Sequence, residues 1–205
     1  MKPITRLHRW LSTITGGAPV YPIAILFGLN CVDELDRGAF GILLPNIRKE
    51  FGLDLQGALS IIALISAVAL LLQVPIAHYA DRAPRVRLAL IGAVAWAAFS
   101  FGTGLAFSVW FLVIMRSGSG IGKAVVDPTH NSLIADYYPA EHRSKVYSLH
   151  RAANAVGSFI GPLFAGLIAY SFGWRAPFMV YAFPTIAIVV LGLKLRDPNR
   201  GAHER

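Results

Sequence analysis

Six apolar stretches, each long enough to cross a bilayer, constrain this chain more than anything else: roughly 20–44, 57–78, 88–107, 109–135, 146–171 and 176–193. A hydrocarbon core takes about 20 residues of helix to cross. Inside it every backbone N–H and C=O must find a partner within the segment, so runs of this length form helices. The second stretch has no charged residue between Asp54 and Asp81. The third and fourth make a hairpin that turns near Phe107 and Ser108, because no charge separates Arg87 from Arg116. The connections are short and contain Pro, Gly or charge, which leaves no room for a soluble domain. The expected fold is an all-α membrane protein: a six-helix transmembrane bundle over 20–195, an N-terminal tail over 1–19 and a C-terminal tail over 196–205.

Only 15% of the 205 residues are charged, against about 25% in an average soluble protein. A net charge of +8 would suggest nucleic acid in a soluble chain. Here the basic residues are spread over loops and tails, with no nucleic-acid motif, so nucleic acid is excluded as a partner. Twelve of the 19 Lys and Arg lie on the side shared by the two tails and the 2–3 and 4–5 loops; the other side holds three, Arg48, Lys49 and Arg175. That bias predicts a multi-pass protein of the plasma (inner) membrane with both termini cytoplasmic. The N-terminus shows no clean signal-peptide pattern and is read as a retained tail. The single cysteine, Cys31, excludes an intrachain disulfide and a Cys-rich metal site. No metal or cofactor is expected. Trp110, Trp174, Tyr137 and Tyr138 are read as interfacial anchors.

Charges inside the spans are costly and mark function or pairing. The first span carries Asn30, Asp33, Glu34, Arg37 and Gly41 at helical spacing on one face, with Asp36 just off it. The fourth carries Arg116, Gly120, Lys123 and Asp127, followed by His130 and Asn131; the fifth adds Arg151, Asn154 and Ser158. Four acids thus balance four bases, as buried charges require. At 1.5 Å per residue, Arg37 and Arg116 both lie about 10–12 Å below the outer surface, and Asp33 and Lys123 about 18–21 Å below it. This level matching predicts that the first and fourth spans face each other, with Asp33 near Lys123 and an acid of the first span near Arg116. The first, fourth and fifth spans are expected to line a wet cavity; the uncharged third and sixth are expected to face lipid. The substrate-cavity set is therefore Asn30, Arg116, Lys123, Asp127, Arg151 and Asn154. The alternative is that these charges only hold helices together.

These motifs resemble the N-terminal six-helix half of a major facilitator superfamily transporter, on its Spinster-like branch. Ala77-His78-Tyr79-Ala80-Asp81-Arg82-Ala83-Pro84-Arg85 is similar to that superfamily's G-x-L-A-D-R-x-G-R loop, with Ala77 and Pro84 in place of glycines. Arg116, Gly120 and Gly122 match R-x-x-x-G-x-G; Gly157, Gly161 and Pro162 match a G-x-x-x-G-P pattern associated with exporters and antiporters. Asp36-Arg37 followed by Leu44-Pro45 is the Spinster-like feature, and Lys123 stands where that branch usually has Glu. The resemblance implies a two-repeat half-bundle and a secondary active transporter rather than an enzyme. It implies proton coupling by Asp36 and Arg37, with Asp33 and Glu34 as further candidates, and a conformational gate of Asp81, Arg82, Arg85, Gly157, Gly161 and Pro162. The implied partners are membrane lipid, a small organic or amphipathic solute moved preferentially outward, and a second six-helix half, from another chain or a second copy. The alternatives are a six-helix scaffold or sensor, or a fragment inactive without its second half.

Overall fold

The computed structural model describes residues 3–80 and 82–201; the side chains of 3–8, 74, 77, 79, 80, 121, 123 and 127 also lie outside the description. Among the described residues there are seven helices: α1 (Pro3–Ile14), α2 (Val20–Phe51), α3 (Leu55–Ala80), α4 (Arg85–Gly104), α5 (Val109–Tyr137), α6 (Ala140–Phe172) and α7 (Ala176–Gly192). The six apolar stretches correspond to α2 through α7, and the N-terminal tail adds the short helix α1. Four helices (α3, α4, α5 and α6) are long and apolar enough to cross a membrane. α2, at 32 residues, is interrupted by charge, and α7 is a shorter apolar helix of 17 residues.

Local chemistry sets the helix ends. α2 follows Pro19 and stops at Gly52, whose left-handed φ of 63° ends the helix and lets its N–H bond the Arg48 carbonyl. Ser108 is extended and accepts the Phe111 N–H at 3.2 Å, capping α5. Only Tyr138 and Pro139 separate α5 from α6, so the connection expected at 136–145 is far shorter than its charge suggested.

Two apolar layers hold the bundle. One groups Ala39, Leu43 and Ile47 of α2 with Trp96 and Ala97 of α4, Leu112 of α5, Ala165 of α6, and Phe178 and Tyr181 of α7. The other joins Ile23, Leu26 and Leu29 with Leu90, Leu133, Val146 and Val189 toward the end of the bundle that carries both tails. α2 lies along α6, and α4 lies between α5 and α7.

This packing corrects the assignment of the third span to lipid, whereas α7, the sixth, exposes Phe183, Ile186, Val190 and Leu191. α4 is more than half buried, whereas α3, the second span, has almost no fully buried residue among those described. Lack of charge does not separate lipid contact from helix contact, because both are apolar.

Candidate functional site

The site forms where α2 passes α5 and α4. Asp36 is 2% exposed and Arg116 8%, and Arg116 Nη1 donates to Asp36 Oδ2 at 2.6 Å. Ser100 of α4 donates to the other oxygen, Oδ1, at 2.5 Å. Both carboxylate oxygens are therefore engaged. The guanidinium of Arg116 sits 4.5 Å from the ring centroid of Phe40 and 5.6 Å from that of Phe178, stacked in an arrangement that attracts a cation to the ring faces. This is a buried ion pair with an aromatic wall.

A cavity of about 450 Å³ opens against the pair. α2 supplies Asp33, Asp36, Arg37 and Phe40; α3 supplies an apolar side with Ile62, Ile65 and Leu70 and the polar Ser66 and Gln73; Arg116 and Ser119 come from α5 and Trp96 from α4. The Arg37 side chain is 66% exposed and pairs with buried Glu34 at 3.2 Å. Glu34 also accepts from Ser158 at 3.4 Å. The cavity thus presents one exposed guanidinium, a buried carboxylate pair behind it and an apolar opposite wall.

The structure regroups the expected residues. Asp36 and Arg37 do not pair with each other: successive helix residues point about 100° apart, so Asp36 turns to Arg116 and Arg37 to Glu34. The level matching that predicted an acid of the first span near Arg116 corresponds to Asp36. The Lys123 and Asp127 side chains, and hence any Asp33–Lys123 contact, lie outside the described residues. Arg151 and Asn154 do not line the cavity. Arg151 is exposed, and Asn30 bonds both Asn154 and the His150 carbonyl, the latter at 3.1 Å, along the α2–α6 seam. α6 is therefore not a cavity wall, and α3 takes its place. Along that seam, a Cβ on Gly157 would fall 2.6 Å from the Cys31 carbonyl and one on Gly161 2.7 Å from the Leu35 carbonyl; the Pro162 ring covers Gly38.

At the tail end, Asp81 lies outside the described residues and Arg82 is exposed. Arg85, by contrast, is 3% exposed. It pairs with Asp136 at the end of α5 and, at 3.1 Å, with Asp197, and donates to the Pro198 carbonyl at 2.7 Å. Asp197 in turn accepts the Val86 N–H at 3.2 Å at the start of α4. Residues 196–201 are thereby tied to the 2–3 loop. Both acids lie far from Arg85 in sequence, with nothing there to match them to that arginine.

Trp174 at the opposite end and Tyr138 at the tail end also depart from the anchor reading, being 6% and 0% exposed; Trp110, at 72%, remains exposed. Trp174 Nε1 donates to Glu50 at 2.5 Å, and Arg175 pairs with the same carboxylate at 2.6 Å and donates to the Ala106 carbonyl. The Trp174 and Arg175 hydrogen bonds hold the Glu50 carboxyl below its ordinary pKa of 4.5. A depressed carboxylate stabilises the fold at neutral pH and ceases to do so as pH falls through its folded pKa. The expected result is a fall in Trp174 fluorescence protection from quenchers that begins only below pH 4.5 and is absent in Glu50→Gln. A transition centred above that value would count against this clasp.

Among the described residues no cluster of His, Cys, Asp and Glu is suited to a metal ion.

The Major Facilitator Superfamily profile matches residues 26–205. The probable L-galactonate transporter of Escherichia coli is 29% identical over 83% of this chain and 36% of its own length. Human protein spinster homolog 1 is 29% identical over 95% of this chain and 38% of its own. A crystal structure of a bacterial homologue of the human lysosomal transporter Spinster, inward-facing and occupied, superposes with a TM-score of 0.79 at 27% identity. It covers 90% of this chain and 46% of that one. The chain spans less than half the length of these relatives.

Proposed function

The chain belongs to the Major Facilitator Superfamily, and on that premise we propose that it is the N-terminal half of a proton-coupled secondary transporter. Its cargo is a small organic or amphipathic solute, moved preferentially outward across the plasma (inner) membrane, with both termini in the cytoplasm. The observation that carries this reading is the Asp36–Arg116–Ser100 cluster on the wall of a mixed polar and apolar cavity.

Asp36 cannot hold a proton and keep Arg116 at the same time. Burial favours the neutral carboxylic acid, and an adjacent cation favours the carboxylate. A rocking motion that separates α2 from α5 would exchange the second influence for the first and load a proton; closure would expel it. Each pKa unit of difference between the two states is worth about 1.4 kcal/mol of coupling. Arg37, exposed in the cavity, is placed to meet an anionic or polar group of the solute, while Ile62, Ile65 and Leu70 meet its apolar part.

Alternating access needs two bundles about a midplane site. The second is to come from a further segment, another chain or a second copy. The exposed apolar faces of α3 (Leu70, Leu71) and α6 (Phe159, Leu163, Leu167) are available to it and to lipid. The test is solute transport driven by a pH gradient in proteoliposomes holding the chain with its second half. Asp36→Asn is expected to abolish the dependence on the gradient while leaving solute binding measurable; an unchanged dependence removes Asp36 from the mechanism. Lys123→Glu, restoring the usual residue, is expected to alter cargo preference without removing proton dependence.

A further inference from the structure

Between α5 and α6, toward the tail end, two imidazoles meet in the apolar interior. His130 and His150 are 0% and 4% exposed, with His130 Nδ1 3.1 Å from His150 Nε2 and the rings edge to face. At that distance one nitrogen carries the proton and the other offers its lone pair. The remaining nitrogen of His130, Nε2, is buried without a partner. Neither tautomer repairs this: a donating Nδ1 leaves a bare lone pair at Nε2, and an accepting Nδ1 leaves an unused N–H there. Unpaired buried polar atoms are rare enough in folded proteins that each calls for a reason.

The neighbouring groups can be named helix by helix. α2 brings Asn30, bonded to the His150 carbonyl and to Asn154. Its acids lie one turn further on, Asp33 at the cavity and Glu34 bonded to Arg37 and Ser158. α6 brings exposed Arg151 and, one turn earlier, Tyr147, whose hydroxyl donates to the Asn131 carbonyl at 2.7 Å. On α5, Asp127 precedes His130 by one turn with its side chain outside the described residues, and Asp136 toward the helix end is taken by Arg85. Tyr138 donates to the Pro19 carbonyl. α4 and α7 contribute apolar Val86, Leu90 and Val189 to this layer.

We propose that the His130–His150 pair is a second proton-binding site, separate from Asp36–Arg116, that takes up one proton when the tail-side ends of α5 and α6 part and favours the parted state while charged. In the closed seam the neutral N–H···N bond clasps the two helices. In the tautomer whose Nδ1 donates, a proton passes from hydronium to the bare Nε2 lone pair of His130, forming an N–H bond as the O–H bond breaks and water is left behind. The imidazolium then has donors at both nitrogens of one ring, and Nε2–H of His130 needs water or an acceptor that the closed seam does not give it. Closing the seam returns the proton to water. Histidine is the side chain whose ordinary pKa places this exchange near physiological pH. The site stands on its own geometry; only its place in a transport cycle rests on the transporter reading.

The test is amide hydrogen exchange of the chain in lipid nanodiscs at about pH 5.5 and about pH 7.5, on either side of the ordinary histidine pKa, corrected for the intrinsic pH dependence of exchange. In the wild type, segments 128–135 and 146–152 are expected to exchange about tenfold faster at the lower pH, as local opening becomes more populated. In His130→Asn and in His150→Gln the two pH values should give equal rates. Equal rates in the wild type, or a pH effect that survives in both variants, would overturn the proposal. Should the variants not fold, the wild type alone decides: each opening binds one proton, so exchange of these two segments must keep rising about tenfold per pH unit below about pH 6.5, and a rate that is flat with pH there overturns the proposal. Failure of gradient-driven transport with this exchange behaviour intact would sink the transporter reading alone.

Discussion

Asp36→Ala should lower the stability of the bundle by about 3–5 kcal/mol, the cost of leaving one member of a buried pair without its counter-ion. The orphan is Arg116, 8% exposed between Phe40 and Phe178, and Ser100 loses its acceptor as well. Arg116→Leu should cost a comparable amount by stranding the carboxylate. The double replacement Asp36→Ala/Arg116→Leu should cost much less than the two singles together, because it removes both charges at once and leaves neither stranded. Reversible unfolding in mixed micelles measures all four proteins of this double-mutant cycle. Additive single and double effects would show that the two charges do not stabilise each other. Arg37→Leu is the contrasting variant: its side chain is two-thirds exposed, and it should change stability little.

The helices were legible in the sequence because length and apolar content are local properties, and the lipid-like runs from Val20 onward correspond to α2 through α7. Which charges meet was less legible. Helical spacing ranked Asp33 and Glu34 with Asn30 on one face and left Asp36 off it; yet Asp36 holds the pair, because the partner's direction depends on how α5 leans across α2. Ser100 had no signal at all, being one of two hydroxyls on a helix that carries no charge beyond Arg87. The His130–His150 contact joins residues 20 apart, and a histidine on one helix does not announce which residue of the next it meets. Depth, by contrast, follows from helix rise alone, and it put Arg116 within the span of α2 that carries the acids. Arg85 was legible as part of a loop motif, but its partners were not, because Asp136 and Asp197 lie far off in sequence.

Gly161→Ala should destabilise the bundle by about 1–3 kcal/mol, the usual cost of forcing extra volume into a filled seam, although alanine is the better helix former by up to about 1 kcal/mol. The added methyl would fall 2.7 Å from the Leu35 carbonyl and 2.8 Å from its Cα. These are backbone atoms of α2, so relief requires the two helices to separate rather than a side chain to turn. Gly157→Ala faces the same difficulty one turn away, against the Cys31 carbonyl and the Glu34 Cβ. Separation there would also pull Asn30 from Asn154 and Ser158 from Glu34, loosening the base on which Arg37 is held. Gly166→Ala supplies the control, since its methyl would meet nothing within 4 Å and should be neutral or slightly stabilising. Unfolding of the three variants in the same micelles orders them directly. If Gly161→Ala proved as benign as Gly166→Ala, the α2–α6 seam would be looser than its glycines indicate, and close backbone approach would not be what sets the position of Asp36.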